Sequence, residues 1–230
     1  MTIEIPGSYQ GPDGSANGGY TCGLLASSWE AEAVEVTLRQ PPPLDRKLDL
    51  RQNPLNVELY DEETLIATAR ASVLDLELPN FPIWEDVERA SERYAGHQTH
   101  PFPNCFVCGP KRALSDGLRI FAGPLVGTNM VAASWRPGKE LTDEKGFIRR
   151  ELLWCALDCP GAFAVDQKLE KPRVLGRLTA QLFHNIQPKE RVRVLGWPLG
   201  EERRKAFAGT ALVDSSNRVC AVAKAVWIAL

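Results

Sequence analysis

LIATARA, residues 65–71, and VCAVAKA, residues 219–225, decide how this chain of 230 residues is built. They stand 154 residues apart, and small residues alternate with larger ones in the same way in both. A period of two marks a strand whose two faces meet different surroundings. Each stretch follows another alternating segment and an acidic turn: LNVELYDEET with Asp61 before the first, GTALVDSSNR with Asp214 before the second. Further upstream, VEVTLRQPPPLDRKLDL (34–50) and LTAQLFHNIQPKERVRVL (178–195) share a second order of alternating strand, proline, charged turn and strand. A duplicated unit is the economical reading.

In each unit the segment ahead of those strands carries apolar residues at helical spacing. These are ANGGYTCGLLASSWEAEA (16–33) and FIRRELLWCALDCPGAFAVDQ (147–167). Pro160 predicts a kink in the second, because a proline removes one backbone bond and crowds the preceding turn. The chain therefore divides into an N-terminal unit, 1–75, a proline-rich linker, 76–104, around the amphipathic EDVERASERYAG, and a C-terminal unit, 105–230, opened by strands at GLRIF (117–121) and NMVAASW (129–135). The fold class is α+β, each unit pairing one helix with several antiparallel strands.

Charge narrows the function. Twenty-seven basic residues against 29 acidic leave a net charge of −2, too little positive excess for a surface that tracks phosphates, so nucleic acid is not an expected partner. The start MTIEIPGSYQ lacks a basic and apolar leader, and no apolar run suits a membrane span, so a soluble cytoplasmic protein is expected. Six cysteines scattered through such a chain are expected to be reduced and mostly to fill the core.

A sheet wrapped round one central helix, present twice in one chain, resembles the double hotdog fold. The closer resemblance is to acyl-CoA thioesterases of the phenylacetyl-CoA type. In that family the central helix begins with a Gly-Gly pair and carries an acidic residue eight positions after the first glycine, and two units meet so that the glycines of one helix face the carboxylate of the other. Here the N-terminal unit has Gly18-Gly19, with Ala26 eight positions on. The C-terminal unit has Asp158, with Arg150 eight positions back. Each unit holds half a site. CFVCGPKRALSDGLRI (105–120) also resembles a Cys-x-x-Cys-Gly-Pro and Gly-Leu segment that precedes the hotdog unit in this family.

The resemblance implies thioester hydrolysis at one composite site, without cofactor or metal. The amides of Gly18 and Gly19, at a positively polarised helix start, would hold the developing oxyanion, and Asn17 would cap the helix or touch the ligand. Asp158 would act as base or nucleophile, its pKa raised by apolar neighbours. Trp29, Trp154 and Phe163 would line the acyl groove, and Thr179 and Gln181 would orient water. Arg203, Arg204 and Lys205 would form a basic rim for coenzyme A phosphates, or simply a solvated turn. The partner is then a small acyl thioester carried by coenzyme A or a carrier protein, with no membrane, and the pseudodimers could pair further into a homo-oligomer.

Other readings stand beside this one. Asp158 could be a helix carboxylate paired with an arginine such as Arg177, and Gly18-Gly19 an ordinary loop-to-helix turn. A non-catalytic acyl-CoA-binding protein would keep the groove without turnover. A hotdog enoyl-CoA hydratase would need a histidine close after its aspartate, and GPDGSANGG (11–19) offers Asp13 and Asn17 without one. Cys105 and Cys108 could be half of a zinc site or a redox pair; zinc needs two more ligands and no second Cys-x-x-Cys is present, though His97 and His100 lie close by. His184, within a predicted strand, reads as a core or interface residue.

Overall fold

The computed structural model describes residues 1–230. Its strands are β1 (Thr2–Glu4), β2 (Ala33–Leu38), β3 (Lys47–Gln52), β4 (Val57–Asp61), β5 (Thr64–Ser72), β6 (Gly123–Pro124), β7 (Val131–Trp135), β8 (Arg173–Leu182), β9 (Val192–Glu202), β10 (Lys205–Val213) and β11 (Val219–Ala229). Its α-helices are α1 (Gly18–Ala26), α2 (Trp84–Glu92) and α3 (Arg150–Val165). All strands join one antiparallel sheet in the order β1-β3-β4-β5-β2-β8-β11-β10-β9-β7-β6. The seam is β2 against β8, where Val34 faces Ala180 and Val36 faces Leu178.

Counted outward from that seam, β5 and β11 hold the same place. They contain LIATARA and VCAVAKA, the stretches whose likeness signals the duplication. Small residues recur there for a packing reason. Ala67 and Ala69 on β5, and Ala221, Ala223 and Ala225 on β11, lie fully buried in the core that α1 and α3 share with the sheet. Methyl side chains let a helix approach a sheet closely. The opposite face of the C-terminal strands carries Leu195, Trp197, Ala211, Val213 and Val222, a second cluster closed by Val87 and Ala90 of α2. The proline-rich connection thus supplies a core element, anchored where Arg191 and Arg193 stack on Trp84 at 3.9 and 4.1 Å.

Two local expectations need correction. GLRIF forms no strand of the sheet; the amides of Leu118 and Ile120 donate instead to the carbonyls of Phe106 and Val107, so the segment pairs with a loop. His184 lies beyond the end of β8, in the turn towards β9. Pro160 lies inside α3 (Arg150–Val165), as its place in the helical segment predicts.

The β10–β11 turn rests on Asp214. Its Oδ1 accepts the amides of Ser216 and Arg218 at 2.8 and 2.9 Å, its Oδ2 accepts Arg218 Nε at 2.9 Å, and Asn217 adopts a φ of 63°, which asparagine tolerates. Burial pushes this carboxyl up, but the Arg218 amide and guanidinium and the Ser216 amide outweigh it and hold the carboxyl below its ordinary range. A depressed carboxylate stabilises the fold above its unfolded pKa of about 3.9, and that stabilisation fades as the pH falls through the folded value. Asp214→Ala is therefore expected to cost about 1–3 kcal/mol at pH 7 in urea denaturation, with the difference from wild type shrinking below about pH 4.

Candidate active site

The two central helices cross where the N-terminus of α1 meets the middle of α3. Gly19 permits the approach: a Cβ there would stand 2.6 Å from Asp158 Cβ, 2.8 Å from the Trp154 carbonyl oxygen and 2.9 Å from Cys155 Cα. Asn17 is the N-cap of α1, its Oδ1 accepting the Tyr20 amide at 2.9 Å. That bond fixes the orientation of the side chain, so its Nδ2 points the other way and donates to Asp158 Oδ2 at 3.0 Å. The Gly19 amide donates to the same oxygen at 2.9 Å.

Asp158 is 2% exposed, yet only one of its oxygens is held; Oδ1 is buried without a hydrogen-bond partner. Burial pushes the carboxyl up, to about 7, against the pull of the Gly19 amide; negative charge on the nearby Cys105 sulfur pushes the same way, and the Asn17 amide opposes. The charge in the apolar helix is thus clamped through one oxygen, while the other is buried without a partner. Arg177 is not its partner, since that guanidinium reaches Thr37 and Glu35.

Asp158 lines a cavity of about 490 Å³ between the two units. Asn17, Gly18 and Leu38 come from the N-terminal unit; Phe163, Leu175 and Trp227 come from the C-terminal one. Six buried side-chain polar atoms in the protein lack a partner, and four belong to residues of this wall: Asp158 Oδ1, His100 Nε2, Arg173 Nε and Trp227 Nε1. Unpaired buried polar atoms are costly, and most of those in this protein belong to residues that line this one cavity. Exposed Arg39 and Lys171 stand on the same wall, at its rim.

The sequence-derived residues divide cleanly. Asn17, Gly18, Asp158 and Phe163 meet at this cavity, whereas Gly19 lies behind it with its amide engaged by the carboxylate. The Gly18 amide, one residue earlier, makes no hydrogen bond. Trp29 and Trp154 line a different space of about 40 Å³ together with Ala26 and Arg150. It is the pseudosymmetric counterpart, with alanine where the acid would stand and arginine where the glycines would be. Thr179 and Gln181 point to the other face of the sheet, because their neighbours Leu178 and Ala180 belong to the core under the helices; Gln181 lines a surface groove with Phe183. Arg203, Arg204 and Lys205 sit at the β9–β10 hairpin and take no part in the cavity wall; Arg204 bonds the Ala229 carbonyl.

One cluster escaped sequence reasoning. Cys159, next to Asp158 on α3, brings its sulfur to 3.7 Å from that of Cys105, and the sulfurs of Cys105, Cys108 and Cys159 all lie within 4.8 Å of one another. All six cysteines are free and buried.

Among solved structures, the chain is similar over its whole length to a tesB protein of Mycobacterium avium subsp. paratuberculosis (TM-score 0.64, 12% identity, covering 100% of this chain and 92% of that one). It is equally similar to a conserved hot dog fold protein of unknown function from Alicyclobacillus acidocaldarius (0.62, 11%, 100% and 92%). A third match is a candidate thioesterase from Novosphingobium aromaticivorans (0.63, 12%, 99% and 94%). No protein-family model and no curated protein sequence matches the chain. At these identities the likeness establishes the fold, an α+β double hotdog, with activity left to the chemistry of the site. No helix is long and apolar enough to cross a membrane.

Proposed function

We propose that this protein hydrolyses an acyl thioester in the cavity between its two hotdog units, with Asp158 as the base that activates water. The observation that carries the reading is the divided state of Asp158, a residue that lines the cavity: one oxygen held by Asn17 and Gly19, the other buried without a partner. A carboxylate whose pKa lies about 7 can take a proton from water near neutral pH. The water would attack the thioester carbonyl, whose oxygen, turning negative, would take the free Gly18 amide at the positive end of α1. Collapse then releases the carboxylic acid and the thiol. The acyl group would lie against Phe163, Leu175 and Trp227. Arg39 and Lys171 at the rim are placed to meet the phosphates of coenzyme A, in place of the hairpin residues Arg203, Arg204 and Lys205.

A second reading, an acyl-CoA-binding protein without turnover, is favoured by one observation: the Gly19 amide is engaged by Asp158 and leaves a single free donor for the oxyanion. Thiol release from a panel of aliphatic and aromatic acyl-CoAs, measured beside binding by calorimetry, separates the two. Turnover of at least one thioester is expected. Tight binding with no release by any member would establish the binding protein instead.

A further inference from the structure

We infer that Cys105, Cys108 and Cys159 form a three-thiolate site for a thiophilic cation of the zinc class, with its fourth position open to the cavity. The ligand types are right, since soft sulfur ligands select such metals over hard cations. The geometry is right as well. Tetrahedral zinc with metal–sulfur distances of about 2.3 Å holds its sulfurs about 3.8 Å apart. Cys105 and Cys159 already stand at 3.7 Å, and Cys108 completes a triangle within 4.8 Å. Closing any pair to a disulfide would instead need contraction to about 2.05 Å.

The supporting groups are those an anionic sulfur cluster needs. Cys105 opens a tight turn in which its carbonyl accepts the Gly109 amide at 2.9 Å. Gly109 is required there: a Cβ would lie 2.6 Å from the Cys105 nitrogen and oxygen and from the Pro103 oxygen. From the opposite side, Asn17 Nδ2 stands 3.8 Å from Cys105 Sγ and 3.9 Å from Cys159 Sγ, a donor to both sulfurs. Such outer partners orient metal ligands and stabilise their charge.

His100 is not the fourth ligand. Its Nδ1 accepts the Phe102 amide at 2.9 Å, which places the ring proton on Nε2 and makes that atom a donor. All three cysteines belong to one cluster, and Cys105, Cys108 and Cys159 line the cavity, so the fourth ligand is water or a group of a bound ligand. Binding replaces three S–H bonds by three metal–sulfur bonds and releases three protons. The metal would tie the Cys105–Gly109 turn to α3 beside Asp158.

The test uses the whole reduced protein, stripped with a chelator and dialysed against zinc or cobalt. One zinc per chain is expected by elemental analysis, and the cobalt form should show thiolate-to-metal charge transfer. Cys105→Ser, Cys108→Ser and Cys159→Ser should each lose stoichiometric zinc, while Cys220→Ser keeps it. The wild-type cobalt spectrum stands independently should a variant fail to fold. Absence of metal from the reduced wild type, or a charge-transfer band that survives Cys159→Ser, would overturn the assignment. Metal content reads the site directly, so the result is independent of whether thioesters are hydrolysed.

Discussion

Asp158→Asn is expected to lower kcat for thioester hydrolysis by about 10²–10⁴-fold while leaving the fold and KM little changed. The substitution is isosteric. The amide oxygen can occupy the position of Oδ2 and still accept from Asn17 Nδ2 and the Gly19 amide, and the NH₂ group then takes the place of the unpartnered Oδ1. What changes is chemistry: an amide cannot take a proton from water. A purely structural carboxylate would give a different pattern, with stability or binding changing and the residual rate near that of wild type. Should the Asp158→Asn variant retain full kcat, Asp158 is not the base and the hydrolytic proposal loses its centre.

The halves of this site were legible to different degrees. The duplication could be read from residues alone, because the period of strands and the chemistry of turns are local, and Asp214 and Asp61 do mark corresponding hairpins. The meeting of the Asn17–Gly19 segment with Asp158 was legible only through resemblance, since nothing local in either stretch announces a partner 139 to 141 residues away. Trp29 and Trp154 lie elsewhere for a reason rooted in the duplication: a pseudosymmetric chain has two related grooves, and they line the smaller one, beside Ala26 and Arg150. Thr179 and Gln181 failed on parity. Once Leu178 and Ala180 face the helices, their neighbours in a strand must face away. Cys159 joins Cys105 and Cys108 purely through tertiary structure, across 54 residues, and the Cys-x-x-Cys pair by itself carried no sign of it.

The two grooves differ more than an exact duplication would leave them. An exact duplication would generate two equal composite sites, each joining the glycines of one helix to the acid of the other. Here the counterpart space is about 40 Å³ against about 490 Å³, and its wall has neither carboxylate nor glycine pair at the corresponding positions. That side is packed with Trp29 and Trp154.

Gly19→Ala is expected to be strongly destabilising for so small a change, because the new methyl group meets main chain as well as side chain. Its Cβ would lie 2.8 Å from the Trp154 carbonyl oxygen and 2.9 Å from Cys155 Cα, and neither can rotate away. The helices must part, and overpacking of this kind costs about 1–3 kcal/mol; with two backbone atoms in the way we expect about 3 kcal/mol. For a chain of this size that corresponds to a fall in Tm of roughly 6–12 °C by calorimetry. Gly18→Ala provides the contrast. Its closest obstacle is Leu175 Cδ2 at 2.9 Å, the far end of a flexible side chain, so relief by a rotamer change should cost about 1 kcal/mol, partly offset by the better helix propensity of alanine. Yet its methyl would project beside the free amide and narrow the approach of a carbonyl oxygen. Gly18→Ala should therefore lose turnover with little loss of stability, and Gly19→Ala should lose stability first. Equal melting temperatures for the two variants would mean that α1 and α3 do not cross at Gly19, and the clamp on Asp158 would have no structural basis.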